Sequence, residues 1–279
     1  MFDLIEILKT VLFGIVEGIT EWLPISSTGH LILTDAFIPL NQSKAFKEMF
    51  FVVIQLGAIL AVLVLYWRKL NPFSLNNKSV LVNRDTLALW TKILVSCLPA
   101  AIIGLIFNDA IDSLFYNYQT VVITLIIYGV IFIIIERWNQ KRNPTITALH
   151  QITYQTALII GMFQLLALIP GTSRSGATII GAMLIGTSRI IAAEYTFLLA
   201  VPVMFGASLV KLVKFGIAFT PNELIVLIIG MIVSFIASLF AIKFLIKYVQ
   251  KHDFKVFGWY RIALGIVIAI IFTTLNLQT

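Results

Sequence analysis

Residues 17–30 have the sequence EGITEWLPISSTGH and place two acids, two serines, two threonines and a histidine inside an apolar chain. A second polar stretch, residues 170–178, has the sequence PGTSRSGAT, with an arginine between two serines. Polar and ionisable groups at membrane depth are rare and mark functional sites by default. These two stretches are therefore the candidate site, and they also decide how the surrounding apolar segments are interpreted.

The composition is that of a membrane protein. The 279 residues are 59% hydrophobic and 12% charged, and the mean hydropathy is +0.99. A soluble domain has about 25% charged residues. Several apolar runs are long enough to cross about 30 Å of hydrocarbon, which predicts an all-α polytopic membrane protein. The net charge of +7 fits basic residues that hold cytoplasmic loops in place and does not indicate nucleic acid.

The first half of the chain, residues 1–137, is predicted to begin with a broken helix. An apolar helix over residues 2–23 stops before Pro24, because the residue that precedes a proline is disfavoured in the α conformation. A short helix over residues 27–38 follows. Neither helix is well suited to be a full transmembrane span. We therefore expect a re-entrant hairpin whose break lines a water-filled cavity. Three transmembrane helices then follow, at Phe46–Trp67, Leu87–Phe107 and Thr120–Arg137, joined by loops at 68–86 and 108–119.

The second half, residues 152–279, repeats this layout. Apolar residues 152–169, a polar break at 171–176 and a short helix at 177–186 precede three spans, Ala192–Phe215, Glu223–Ile246 and Phe257–Leu275. A weak match aligns Gly14-x-x-Glu17…Pro24-x-Ser-Ser27 with Gly161-x-x-Gln164…Pro170-x-Thr-Ser173. Three spans is an odd number, so the second half must enter the membrane inverted. The chain is thus predicted to be a single domain, residues 1–279, made of two inverted repeats.

The basic residues predict the orientation. They concentrate on the face that bears the loops 68–86, 138–151 and 247–256, and we place Arg189 and Arg261 on this face with them. An excess of lysine and arginine marks the cytoplasmic side. Both termini are then outside the cell, the first hairpin enters from outside and the second enters from the cytoplasm.

Glu17 and Glu21 are four residues apart, so they share one helix face. Two like charges on an apolar helix repel each other unless a divalent metal, Arg174 or a shared proton lies between them. Oxygen ligands of this kind suit Mg²⁺ or Ca²⁺. The alternative is that both carboxylates only solvate an aqueous entrance.

Ser26, Ser27 and Thr28 are good helix caps, which is their simplest interpretation. His30 comes round to the same helix face as the two serines, and a hydroxyl beside an imidazole is a general nucleophile and base arrangement. His30 could also attack directly while a serine orients it. The sequence leaves the choice among Ser26, Ser27 and His30 open.

Arg174 is flanked by Thr172, Ser173 and Ser175 at the start of a helix, and these four residues are predicted to bind the substrate. Backbone N–H groups there favour an anion, and arginine makes two-pronged contacts with phosphate oxygens. The segment lacks the Gly-Lys-Ser/Thr ending of a nucleotide P-loop. An interior ion pair with a glutamate is compatible with this role, and we expect Glu21 to lie close to Arg174. Gln55, a single polar residue in an apolar span, could reach the site, but a helix–helix hydrogen bond is the favoured interpretation.

Together these groups indicate phosphoryl transfer on a lipid with a phosphate head. The two stretches closely resemble the signature motifs of the undecaprenyl-diphosphate phosphatase family, also called bacitracin-resistance proteins, and residues 51–62 (FVVIQLGAILAV) are similar to that family as well. The resemblance implies hydrolysis of undecaprenyl diphosphate to undecaprenyl phosphate, recycling of the lipid carrier of peptidoglycan, and bacitracin resistance. It implies a divalent cation, Mg²⁺ or Ca²⁺, and a site on the outer face of the bacterial plasma membrane.

The resemblance also implies roles for individual residues. Glu17 and Glu21 would bind metal or act as acid and base, Ser27 with Ser26, or else His30, would attack the terminal phosphorus, and Arg174 would hold the diphosphate with help from Ser173 and Thr28. Two other functions are alternatives to the phosphatase. A lipid flippase fits the inverted repeat, and an intramembrane protease would need its polar pair deep in the spans rather than at hairpin tips. The oligomeric state does not follow from the sequence.

Overall fold

A computed structural model describes residues 4–73, 83–115, 117–216 and 218–274, and most of these residues are helical. The predicted positions 2–3, 74–82 and Leu275 lie outside these ranges. The helices are α1 Leu4–Thr20, α2 Ser27–Phe37, α3 Lys44–Val53, α4 Gln55–Leu65, α5 Trp67–Leu70, α6 Arg84–Phe115, α7 Tyr118–Asn139, α8 Tyr154–Gln164, α9 Arg174–Leu184, α10 Arg189–Phe215, α11 Pro221–Val249 and α12 Lys255–Thr274.

Six segments in the described part of the chain are long and apolar enough to cross a membrane. They are Lys44–Leu65, Arg84–Phe107, Tyr118–Asn139, Arg189–Phe215, Pro221–Val249 and Lys255–Thr274. Large apolar side chains on their outer faces, such as Leu105 and Phe240, are exposed, as expected for surfaces that contact lipid. The protein is therefore a multi-pass, all-helical membrane protein, and the six predicted spans are confirmed.

Two pairs of helices are shorter than the six candidate spans. The first hairpin consists of α1 and α2, with 17 and 11 residues, and the second consists of α8 and α9, with 11 residues each. A helix needs about 20 residues to cross the bilayer. The breaks fall where the prolines predict them, at the first tip (residues 21–27) and the second tip (residues 169–175).

The boundaries of the hairpin helices differ from the prediction. The first helix ends at Thr20 rather than at residue 23, so Glu21 lies in the turn that follows it. In the second hairpin, α9 begins at Arg174 rather than at residue 177. The Ser173 side chain accepts a hydrogen bond from the Gly176 N–H, which starts the helix three residues early.

The predicted loop at 108–119 is also wrong, because α6 continues to Phe115. Residues 105–115 contain neither glycine nor proline, so nothing in the sequence stops the helix where the apolar run ends. The next helix begins after Asn117, whose side chain accepts a hydrogen bond from the Thr120 N–H. The connection between these two spans is thus only a few residues long.

Each hairpin packs against the opposite half of the chain. On the first hairpin, a Cβ added to Gly18 would lie 2.5 Å from the Ser234 carbonyl oxygen of α11. On the second, a Cβ added to Gly161 would lie 2.4 Å from the Ser96 carbonyl oxygen of α6. Glycine at both positions allows this close backbone approach. The crossed packing brings the two tips together in the interior.

Candidate active site

The two tips share one backbone arrangement. Ser26 and Ser173 have φ angles of 74° and 70°, and they are the non-glycine residues with positive φ in the described part of the chain. Each serine caps the helix that follows, accepting a hydrogen bond from the N–H of Gly29 at 3.3 Å or of Gly176 at 3.2 Å. Ser26 is therefore the counterpart of Ser173, whereas the sequence alignment had placed Ser27 there. Strained backbone of this kind is concentrated at functional sites.

A buried ion pair joins the tips. Arg174 Nη2 lies 3.1 Å from Glu21 Oε1, which confirms the expected proximity of the two residues. The other oxygen of Glu21 accepts a hydrogen bond from Ser27 Oγ at 2.7 Å. Arg174 Nη1 donates to the Thr196 carbonyl oxygen at 3.0 Å, which fixes the guanidinium on α10. Arginine, carboxylate and hydroxyl thus form one connected series.

Glu17 lies one turn before Glu21 and is fully buried. Its backbone oxygen accepts a hydrogen bond from the Glu21 N–H, but neither carboxylate oxygen has a hydrogen-bond partner. A buried carboxyl group without a partner is strongly unfavourable, so a proton, a water molecule or a cation must satisfy it. Within the described ranges, no group of three or more His, Cys, Asp or Glu side chains is positioned to hold a metal.

The hydroxyl groups of the second tip are largely occupied. Ser175 Oγ donates to the Glu21 carbonyl oxygen at 3.0 Å, so it ties the second tip to the first. Ser173 Oγ lies 3.1 Å from Ser175 Oγ, in addition to its capping bond. Thr172 is fully buried and its hydroxyl has no partner. Of these three predicted phosphate-binding side chains, Ser173 is the one that reaches the cavity described below.

His30 is not hydrogen-bonded to the Ser26 or Ser27 hydroxyl. Its Nδ1 lies 2.7 Å from the Ser26 carbonyl oxygen, and its Nε2 lies 2.8 Å from the Tyr260 hydroxyl. A carbonyl oxygen only accepts, so we assign the proton to Nδ1, and Nε2 then accepts from Tyr260. The imidazole also stacks on the Tyr260 ring, with 5.6 Å between centroids. The structure therefore places Glu21, rather than His30, beside the Ser27 hydroxyl.

A cavity of about 160 Å³ lies between the tips. Val203, Met204 and Ala207 of α10 form part of its apolar wall. Gln55 lines the cavity, which agrees with the alternative that this residue reaches the site and not with the favoured helix–helix hydrogen bond. Glu17, His30 and Thr172 are not among the residues that line it. Its polar lining comes from Glu21, Ser26, Ser27, Thr28, Gln55, Ser173 and Arg174.

Arg261 is the residue that the sequence analysis placed wrongly. It lies on α12 and is fully buried, not exposed on a cytoplasmic surface. Its guanidinium donates to the carbonyl oxygens of Pro24, Gly171 and Thr172, at 3.2, 2.8 and 2.9 Å. The signal that could have identified it is an arginine within a predicted apolar span, which is a functional candidate by default.

Comparison with known proteins places the chain in a family. The profile described as "Bacitracin resistance protein BacA" matches residues 10–267. The chain is 61% identical over 271 residues to "Undecaprenyl-diphosphatase" of Desulfitobacterium hafniense, which covers 97% of both chains. It is 62% identical over 270 residues to "Undecaprenyl-diphosphatase" of Enterococcus faecalis, covering 96% of this chain and 98% of that one. It is also 61% identical over 269 residues to "Undecaprenyl-diphosphatase 1" of Clostridium acetobutylicum, with the same coverage.

Proposed function

The chain belongs to the bacitracin resistance protein BacA family, and from this premise we propose how its two hairpin tips carry out one reaction. The protein is an undecaprenyl-diphosphatase, a membrane hydrolase that converts undecaprenyl diphosphate and water into undecaprenyl phosphate and inorganic phosphate. This reaction returns the lipid carrier to cell-wall synthesis and confers bacitracin resistance.

The connected series Arg174–Glu21–Ser27 is the observation that carries the proposed mechanism. A hydroxyl that donates to a carboxylate is an activated nucleophile with its base. A guanidinium on the other side of the same carboxylate supplies positive charge for phosphate oxygens. All three groups line one cavity. A terminal phosphate group in this cavity therefore contacts the Ser27 hydroxyl and the Arg174 guanidinium together.

In the proposed reaction, Ser27 Oγ attacks the terminal phosphorus and its proton passes to Glu21. The bond between this phosphorus and the bridging oxygen breaks, and undecaprenyl phosphate leaves with that proton. Water then attacks the phosphoserine, which restores the Ser27 hydroxyl and releases inorganic phosphate. Catalysis of this type depends on positioning and on stabilising the charge of the transferred group.

The geometry favours Ser27 over the two other candidate nucleophiles. Ser26 Oγ is held by its cap to the Gly29 N–H, and both ring nitrogens of His30 are engaged away from the cavity. We assign His30 to the support of the first tip through Ser26 and Tyr260. Substrate oxygens are held by Arg174, whose buried Nε has no partner, and by the cavity hydroxyls of Ser173 and Thr28.

Glu17 and Glu21 fit a divalent cation. Mg²⁺ is commonly bound by one or two carboxylates together with substrate phosphates, and the two unpartnered oxygens of Glu17 are suitable ligands. Such a cation would neutralise negative charge on the phosphate oxygens. Glu17 and Glu21 would hold it, and Ca²⁺ has the same preference for oxygen.

We further propose that residues 1–137 and 152–279 are inverted repeats with re-entrant hairpins. The matched serine caps at the tips support this, as does the crossed packing of each hairpin on the other half. A second pair of contacts has the same crossed form: Ser238 Oγ donates to the Gly18 carbonyl, and Ser96 Oγ donates to the Ala157 carbonyl. Basic loops at 138–151 and 247–256 favour a cytoplasmic location for that face and an outward-facing site.

Phosphate release by the purified protein tests this mechanism. With a polyprenyl diphosphate in detergent, we expect wild-type protein to release phosphate, and Glu21→Ala and Arg174→Ala to lose at least about 1,000-fold in kcat/KM. Lys69→Gln, which removes a more exposed ion pair with Glu194, is the matched control and should keep wild-type activity. Full activity in both tip variants would contradict the assigned site.

A further inference from the structure

Arg261 connects the two tips through their backbones. Its Nη1 donates to Pro24, two residues before the strained cap Ser26, and its Nη2 donates to Gly171 and Thr172, directly before the strained cap Ser173. These acceptors come from different halves of the chain and lie far from α12 in sequence. One rigid guanidinium therefore spans the boundary between the two tips.

Among the described residues, no acid forms an ion pair with Arg261. Its hydrogen bonds there go to carbonyl oxygens, and its Cζ lies over the Tyr128 ring, 5.7 Å from the ring centroid. Its Nε is buried without a partner. Arg189 is a useful contrast, because its guanidinium makes several hydrogen bonds to the buried carboxylate of Glu136.

The space around the guanidinium is closely defined. A Cβ added to Gly176, in the first turn of α9, would lie 3.3 Å from Arg261 Nη1. Lysine could not reproduce the contact, since an ammonium lacks the planar fork that reaches acceptors on two tips at once. A neutral side chain without this fork would leave some of the buried carbonyl groups without donors, which is unfavourable.

We infer that Arg261 is a positioning residue of the phosphatase site. By holding Pro24, Gly171 and Thr172, it fixes the distance between the tips, and thereby keeps Glu21 between Arg174 and Ser27. Its charge also favours the entry of an anionic diphosphate between those tips. This inference rests on the proposed function. It gives α12, which lies outside both polar stretches of the sequence, a role in the site.

Two substitutions of Arg261 separate the effect of its positive charge from the effect of its planar, forked guanidinium group. For Arg261→Lys, which keeps the charge, we expect KM to stay close to the wild-type value while kcat falls about 30-fold, because the tips are less well aligned. For Arg261→Gln, which removes the charge, we expect kcat to fall by about 100-fold or more and KM to rise as well. Undecaprenyl diphosphate is the substrate, and purified full-length protein in detergent is used throughout.

Arg189→Lys is the matched control, since it weakens a buried arginine network away from the tips. It should lower the melting temperature but leave kcat of the folded protein close to wild type. Hydrogen exchange in peptides covering residues 21–29 and 171–176 gives a readout that does not depend on activity. We expect faster exchange there in Arg261→Lys and no change in Arg189→Lys.

Unchanged kcat and exchange in Arg261→Lys would overturn the inference, as would an equal loss of kcat in Arg189→Lys, which would indicate a stability effect only. A wild-type protein that releases no phosphate would contradict the proposed function instead. The exchange comparison would still decide whether Arg261 holds the tips together.

Discussion

The two hairpin tips have the same backbone conformation at the helix cap, but they carry side chains of opposite charge. Both helices that leave the tips are capped by a serine with positive φ, Ser26 in one and Ser173 in the other. The residue after the cap is Ser27 in the first tip and Arg174 in the second. Both side chains donate hydrogen bonds to the carboxylate of Glu21. The two tips thus share one backbone arrangement, whereas the side chains of the proposed site are divided unequally between the two halves of the chain.

The position before each tip shows the same division. Glu17 and Gln164 occupy corresponding places in the weak repeat, both are almost fully buried, and neither side chain has a hydrogen-bond partner. The first position offers a carboxylate and the second offers a neutral amide. A cation is therefore expected at the first hairpin, where two acids are adjacent, and not at its counterpart.

The largest expected effect comes from removing the nucleophile that we assign to the first tip. Ser27→Ala should lower kcat by about 1,000-fold or more, because the attacking hydroxyl is lost. Ser175→Ala, which removes a tie to the Glu21 carbonyl, should lower kcat by only about 10-fold. Steady-state phosphate release measures both.

A trapped phospho-enzyme gives an independent check of the same prediction. Rapid quenching and mass spectrometry should locate the phosphate on Ser27. Phosphate on His30 or Ser26, or a Ser27→Ala variant with nearly full activity, would move the nucleophile to another residue of the first tip.

The second tip should be sensitive to the shape of its cation as well as to its charge. Arg174→Lys keeps a positive charge, but it cannot contact Glu21 Oε1 and the Thr196 carbonyl at the same time. We expect kcat/KM to fall about 100-fold, as for a lost two-pronged phosphate contact. Wild-type kinetics in this variant would show that a point charge is sufficient.

The unequal positions Glu17 and Gln164 predict unequal metal dependence. Glu17→Gln should reduce activity about 10- to 30-fold at saturating Mg²⁺ and raise the Mg²⁺ concentration needed for half-maximal activity. Gln164→Leu, the matched change at the second hairpin, should leave the Mg²⁺ titration unaltered. Identical titrations for Glu17→Gln and wild type would argue against a cation at Glu17.

The smallest effects are expected where the tips are alike. Ser26→Gly or Ser173→Gly loses the cap but relieves the positive φ, so the stability should change by less than about 1 kcal/mol. Ser26→Ala and Ser173→Ala lose the cap and keep the strain, and each should destabilise by about 1–2 kcal/mol. Thermal unfolding in detergent compares the four variants, and clearly different results for the two tips would break their equivalence.

Local signals in the sequence were sufficient for the main layout. Pro24 and Pro170 mark the breaks, short apolar segments mark the hairpins, and the charges of Glu21 and Arg174 predict their pairing. The end of α6 at Phe115 was missed because the apolar run ends before the helix does. The end of an apolar run and the end of a helix are set by different properties of the sequence. Here the apolar run ends at Phe107, whereas the helix ends at Phe115.

Contacts between distant segments could not be predicted in the same way. Arg261 reaches Pro24 across 237 residues, and His30 reaches Tyr260 across 230. A basic residue near one end of an apolar span has the same local sequence whether it faces a loop or the interior. Gln55 was misassigned for the same reason, since only the packing of α4 against the second half decides what its side chain faces.

The crossed packing also has a consequence for the order of assembly. The first hairpin leaves the ribosome long before α11, whose Ser234 and Ser238 contact Gly18, has been synthesised. The face of α1 that carries Gly14 and Gly18 therefore lacks its packing partner, α11, until nearly the whole chain has been inserted into the membrane. Completion of the catalytic site is in this way tied to the completion of translation, and a truncated chain that ends before residue 221 lacks the helix against which the glycine face of α1 packs.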